Sequence, residues 1–268
     1  MRRSQLLVAA LALALAHGSL CHAGPFLTLH GDDQSTIDPS PLRIGVAATA
    51  WNLPTIDVSA TTGAAGDRVD FRADVVPVFM AEYRLTERLG IGGWYNPLYT
   101  DIYLEGPTAD LLLAGPAPVL SSPRVGRSAV KMWSAHANYR LPSGLVLQAG
   151  ALGYSGSLTL RTRNPRVPGD LLLQAQLEST ELHCWAHRTW RVAEDYDEPF
   201  FFTGGLGVRH RIDEAGLAPG PKTSAEASVA LSYFPSARLS VDLAAWFTDL
   251  TNHETFTSRF NAGITGRF

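Results

Sequence analysis

From Val69 to Leu85 the chain keeps a period of two. Val69, Phe71, Ala73, Val75, Pro77, Phe79, Ala81, Tyr83 and Leu85 share one face, apolar over seventeen residues. The other face carries Arg68, Asp70, Arg72 and Asp74 at one end and Glu82 and Arg84 at the other. A helix cannot put every second residue on one side, so this stretch reads as one long strand. The alternation recurs. Leu42, Ile44, Val46, Ala48 and Ala50 share a face, as do Trp133, Ala135, Ala137, Tyr139 and Leu141. Leu145 to Ala151, Leu171 to Leu177, Phe200 to Val208, Ala225 to Tyr233, Leu239 to Phe247 and Phe256 to Phe268 repeat the pattern. With Leu89 to about Leu104, ten strands are counted, with eight and twelve as the alternatives.

A sandwich also alternates, so the connections decide. They run long and short in turn. Thr61–Asp67, Glu105–Ser128, Arg161–Asp170, Asp213–Thr223 and Asn252–Thr255 fall on one side, whereas Thr86–Arg88, Pro142–Gly144, the somewhat extended Arg191–Glu198 and Pro235–Arg238 fall on the short side. Long loops on one side and short turns on the other describe a membrane barrel. Three tyrosines, Tyr83, Tyr139 and Tyr233, stand on the apolar face just before short turns, where an aromatic girdle would lie.

Charged residues make up 18% of the chain, against about 25% in soluble domains. A net charge of −3 argues against a nucleic-acid partner. Met1-Arg2-Arg3, the apolar run Leu6–Ala16 and the small residues up to Ala23 have the layout of a secretory signal peptide. The alternative is acylation at Cys21. The expected division is a signal peptide at 1–23, a periplasmic lead at 24–41 and a barrel at 42–268. Cys184 is then a lone thiol, on the lipid-facing phase of Leu182 and Ala186.

The chain ends Ala262-Gly263-Ile264-Thr265-Gly266-Arg267-Phe268. An alternating last strand with a terminal Phe resembles that of bacterial outer-membrane β-barrel proteins. The long first hairpin, with Trp51 and the Asp-Arg-Val-Asp run at 67–70, resembles the small OmpW- and OmpA-like barrels, with no finer subfamily. The resemblance implies the outer membrane of a Gram-negative cell, contact with lipid and lipopolysaccharide, and Phe268 as a signal read by the barrel-assembly machinery.

Ten strands lie near the size at which side chains fill the interior. The inward phase carries Glu82, Arg84, His136, Asn138, Arg140, Glu178, Arg209, Glu226, Asp242, Arg259 and Arg267, with Gln148 among them. These suit a paired, filled interior; the alternative is a narrow polar path. Trp94, Leu98 and Ile102, with Leu152, Tyr154 and Leu158, would make the upper interior apolar and able to hold a hydrophobic molecule. The glycines Gly92, Gly93 and Gly153 favour instead bulges that turn these six toward lipid.

No metal or cofactor is expected. An enzyme resembling the omptins would need Asp and His pairs at the outer rim, and His210, Asp213, Asp67 and Asp70 lie near that height. His210 shares its phase with Val208 and Ile212, however, and so faces out. His183 and His187, four apart on a strand, are separated by about 13 Å. The expected role is structural or surface-interacting, then a narrow channel, then a hydrolase. The loop 105–128, with four prolines, reads as a mobile surface loop, or else an inward plug or a rest against lipopolysaccharide. Arg68 and Arg72 could donate to lipopolysaccharide phosphates, or pair within the sheet with Asp70 and Asp74.

Overall fold

The computed structural model describes residues 41–53, 55–59, 63–114, 123–162, 171–192, 200–215, 223–251 and 256–268. The expected signal peptide and most of the periplasmic lead lie outside these residues. The strands are β1 (Leu42–Asn52), β2 (Ile56–Asp57), β3 (Arg68–Ala73), β4 (Val76–Arg84), β5 (Leu89–Glu105), β6 (Arg124–Arg140), β7 (Val146–Thr162), β8 (Leu171–Arg191), β9 (Phe200–Ala215), β10 (Thr223–Ser236), β11 (Leu239–Thr248) and β12 (Thr257–Arg267). β2 prolongs β1 and β4 continues β3, which makes ten staves. Every pairing is antiparallel, and β1 against β12 completes the ring. At that seam Phe268 N–H donates to Leu42 O at 2.8 Å and Leu42 N–H to Phe268 O at 3.2 Å.

The outer face is apolar because alternate residues of each stave point there. Ile44, Phe79, Ile91, Leu147, Leu206, Leu243 and Ile264 are all exposed. Tyr83 and Tyr139 are exposed at the short-turn end, and Tyr233 stacks on Phe200 there at 4.7 Å between ring centroids. Tyr95 and Tyr99 are exposed farther up β5. Ten residues separate Leu89 from Tyr99, which at about 3.3 Å each and a tilt of about 40° gives about 25 Å, the height of a bilayer's apolar band.

Above Tyr99 the wall changes character. Outward residues are charged and inward ones apolar, with Val58, Val69, Leu98, Ile102, Leu104, Val125 and Leu158 buried. This corrects the reading of residues 69–85 as one strand with one apolar face. The strand breaks at Asp74 and Val75. Val69 and Phe71 point inward below that number, and Val76 and Val78 point inward above it. The register against β5 slips by one residue across the break, as at a bulge. A second correction follows: Trp94, Leu98, Ile102, Leu152, Tyr154 and Leu158 all face inward, at most 4% exposed. Gly93 and Gly153 are accommodated within regular pairings, and the ring of Trp133 lies across Gly153.

The span read as one long loop, 105–128, is also shorter. A helix, α1 (Pro107–Ala114), follows β5 and buries Ala109, and β6 begins at Arg124. Asp67 Oδ1 accepts the Thr108 N–H at 2.9 Å and so holds the first turn of α1 against the hairpin. Residues 115–122 lie outside the described residues.

Candidate functional site: the filled interior and the outer rim

The interior is built in layers. Arg259 of β12 occupies the middle, its guanidinium 4.6 Å from the ring centroid of Trp246, 5.1 Å from Trp51 and 5.6 Å from Trp94. Each indole comes from a different stave, β11, β1 and β5. Such stacking suits the planar guanidinium better than it would an ammonium.

Beside it Arg209 gathers three carboxylates. It lies 2.9 Å from Glu181, 2.8 Å from Glu226 and 3.4 Å from Asp249, and it also donates to Ser224 Oγ at 2.8 Å. Arg211 reaches Glu181 at 3.3 Å. Glu181 is 0% exposed and lies between the two guanidinium groups.

Toward the short turns, Asp242 accepts from Ser240 at 3.0 Å and Thr265 at 2.8 Å, and Arg267 lies 4.2 Å over the Phe234 ring. Asn138 Nδ2 donates to Glu82. His187 bonds Gln148 at 3.2 Å and stacks on Trp185 at 5.3 Å. Glycines on the neighbouring stave make the room: a Cβ at Gly207 would collide with Trp185, and one at Gly150 with His136.

Ten of the eleven residues expected inside therefore lie on the inward phase. Asn138, Arg209, Glu226, Asp242, Arg259 and Arg267 are buried, while Glu82, Arg84, His136 and Arg140 are half-buried near the short turns. Glu178 is the exception. It is exposed, because on β8 the inward residues are the odd-numbered Ser179, Glu181, His183, Trp185 and His187. The leucines at 171–177 suggested the opposite phase, although Leu182, Cys184 and Ala186 already gave the right one. Reading β8 from those three finds Glu181 at once. Asp249 gives no such signal, for it sits past the end of β11 with φ of 54°.

The outer rim is a belt of ion pairs on the outside of the wall. Arg68 meets Glu105 at 2.7 Å, and Arg72 meets Asp70 at 2.9 Å and Glu105 at 3.0 Å. Arg124 meets Asp101 at 2.7 Å, and Arg127 meets Asp74 at 3.3 Å. Arg68 and Arg72 thus pair within the sheet, chiefly through Glu105, which lay outside the expected set. His210 is exposed and bonds Thr223 at 2.8 Å. Asp67, expected near the height of the outer rim, is buried beneath α1.

No protein-family model matches the chain, and no curated protein matches it in sequence. Solved structures do. The transport unit of the autotransporter AIDA-I from Escherichia coli is 9% identical over the whole of both chains, with a TM-score of 0.51. The translocator domain of the autotransporter NalP from Neisseria meningitidis is 8% identical over 99% of this chain and 96% of its own, with a TM-score of 0.47. The outer membrane protein OprG from Pseudomonas aeruginosa is 10% identical over 85% and 96%, with a TM-score of 0.36. At such identities the first likeness speaks for fold alone. A closed antiparallel ring of ten staves, apolar outside, polar in the lower and middle interior and apolar in the upper, gives this chain the fold of the outer-membrane β-barrels, with no subfamily assigned.

Proposed function

We propose that this protein is a non-conducting barrel of the outer membrane whose work is done at its outer rim, as a structural or surface-interacting element. One observation carries the reading: the interior is occupied in every layer. Leu98, Ile102 and Leu104 at the top, Met132 and Leu152 below them, Glu181 and Arg259 in the middle, and Asp242 and Arg267 toward the short turns are each at most 1% exposed. Lipid and lipopolysaccharide surround it in this reading, and the barrel-assembly machinery inserts it. The apolar belt supports that setting. Single-channel recording of the refolded protein in a planar bilayer is the test. Silence is expected, and porin-sized openings would overturn the reading.

A second reading is favoured by the apolar upper interior under α1. A hydrophobic solute could enter there if α1 swung away from Asp67. An apolar probe that quenches the fluorescence of the buried indoles, and does so more strongly after Asp67→Ala, would favour it. Hydrolysis is assigned no role, since His210 points outward and engages Thr223. Turnover in a screen of peptide and ester substrates would contradict that.

A further inference from the structure

Neither β4 nor β5 is an edge strand: β4 pairs with β1 and β5, and β5 pairs onward with β6. Each nevertheless carries a proline, Pro77 on β4 and Pro97 on β5. Proline has no N–H to give a ladder and is otherwise kept to sheet edges and bulges. The two stand against each other. Pairing of β4 with β5 runs up to Phe79 opposite Tyr95, and it resumes on β3 at Ala73 opposite Thr100, one residue out of step. Asp74 and Val75, both exposed, take up the extra residue. Two residues beyond Phe79 and Tyr95, the same register sets Pro77 opposite Pro97.

Their backbones also point at each other. Asp74 N–H donates to Tyr99 O at 2.9 Å and Leu85 N–H to Leu89 O at 2.8 Å, so the odd-numbered residues of β5 turn their backbone groups toward β3 and β4. Pro97 is one of them. Pro77 turns its carbonyl toward β5, where Asn96 Nδ2 donates to it at 3.1 Å. An ordinary pair at this place would exchange two N–H···O bonds. Two prolines exchange none, and a side-chain carboxamide supplies one donor instead. Asn96 is buried on the inward face, as are Val76, Val78, Trp94 and Leu98.

We infer that the wall is jointed here: Val76–Val78 and Asn96–Leu98 part locally while the rest of the ring stays closed, and the Asn96 carboxamide is the strap that holds the joint shut. Val76 and Val78 stay paired with β1 on one side of the joint, and Asn96 and Leu98 with β6 on the other. A wall parted elsewhere would bare rows of N–H and C=O groups to hydrocarbon. Here the two prolines leave no ladder bond to break, and the side chains behind them are apolar, like the exposed Val75 in front. Tyr95 and Tyr99 bracket the joint at the top of the apolar belt, directly below the hairpin of β2 and β3. A load on that hairpin at the outer rim would be taken up at the joint. The inference goes beyond the non-conducting reading, which concerns the axis of the barrel and not its wall.

The test is hydrogen exchange of the full-length protein refolded in lipid vesicles, read by mass spectrometry. The reporting amides are those of Asp74, Phe79 and Tyr95, which border the joint, compared with residues 132–136 of β6, paired with β5 at the same level. Exchange several-fold faster at the joint is expected. Asn96→Ala should raise it several-fold further there alone. Pro77→Ala with Pro97→Ala returns two donors to the ladder and should slow it below that of the parent chain. In that restored wall Asn96→Ala should have little effect, because the strap is no longer needed. Heat-modifiable migration reports the folding of each variant, and the double proline variant reads the joint even if Asn96→Ala alone does not fold. Uniform protection around the ring, no slowing in the double proline variant, or an Asn96→Ala effect spread over β6 to β12 would each overturn the inference.

Discussion

At the scale of single residues, energetics depend on which side of the wall a side chain faces and at what height. Ala135 is outward and pairs with Gly93, midway between the Tyr139 and Tyr99 levels. Ala135→Arg should destabilise the barrel by about 2–4 kcal/mol, whereas Ala137→Arg, two residues nearer the Tyr139 level, should cost about 1 kcal/mol or less. Urea unfolding in lipid vesicles would check this, and equal costs would refute the assigned heights. Inside, Arg209 holds three carboxylates, so Arg209→Met should cost about 3–5 kcal/mol. Adding Glu226→Gln should recover part of the loss, because one fewer uncompensated carboxylate remains. An unchanged unfolding midpoint in the single variant would show that the cluster is not held by Arg209.

At the scale of elements, the hairpin formed by β2 and β3 rises beyond the apolar belt, and Gly63 and Gly66 in its tip take φ of 76° and 89°. A protease added to intact cells should clip near residues 63–66 and leave the remaining barrel protected. Cleavage at the Thr86 turn instead would mean that the chain is oriented the other way. This hairpin is also where the sequence misled. Period two reveals a strand but not a change of phase, since Val69, Phe71, Phe79 and Tyr83 are all apolar whichever way they point. Only the change of surroundings, from lipid outside to water outside, makes an inward Val69 and an outward Phe79 both favourable. Elsewhere the contrast between apolar and polar neighbours was strong enough: the phase of β10, β11 and β12 was readable, with Glu226, Asp242 and Arg259 placed inside. The Arg259–tryptophan layer was not readable, because Trp51, Trp94 and Trp246 lie far apart in sequence and meet only when the ring closes.

At the scale of the whole molecule, the barrel is a tube of uneven wall, with 17 to 21 residues in each of β5 to β8 against 10 or 11 in β1, β11 and β12. The thin side contains the seam. Deleting Phe268 removes both hydrogen bonds to Leu42 and a terminal ring 68% exposed on the outer face. Assembly should slow while export continues, seen as unfolded chain accumulating beside the heat-modifiable form. Normal folded yield from the truncated chain would show that its last residue is dispensable.

The seam has a further consequence. Leu42 and Phe268 are the near-ends of the described chain, yet they are neighbours in the wall. Bringing together ends more than two hundred residues apart costs about 5 kcal/mol in loop entropy when nothing else is formed. Once β4 to β11 stand in place the same ends are already close, and little of that cost remains. An open sheet also leaves two rows of unpaired backbone groups, each unsatisfied group costing several kcal/mol in hydrocarbon. Partly closed forms are therefore unfavourable both early, through entropy, and late, through desolvation. The molecule should pass from open to shut in one cooperative step, in which the first strand made waits for the last.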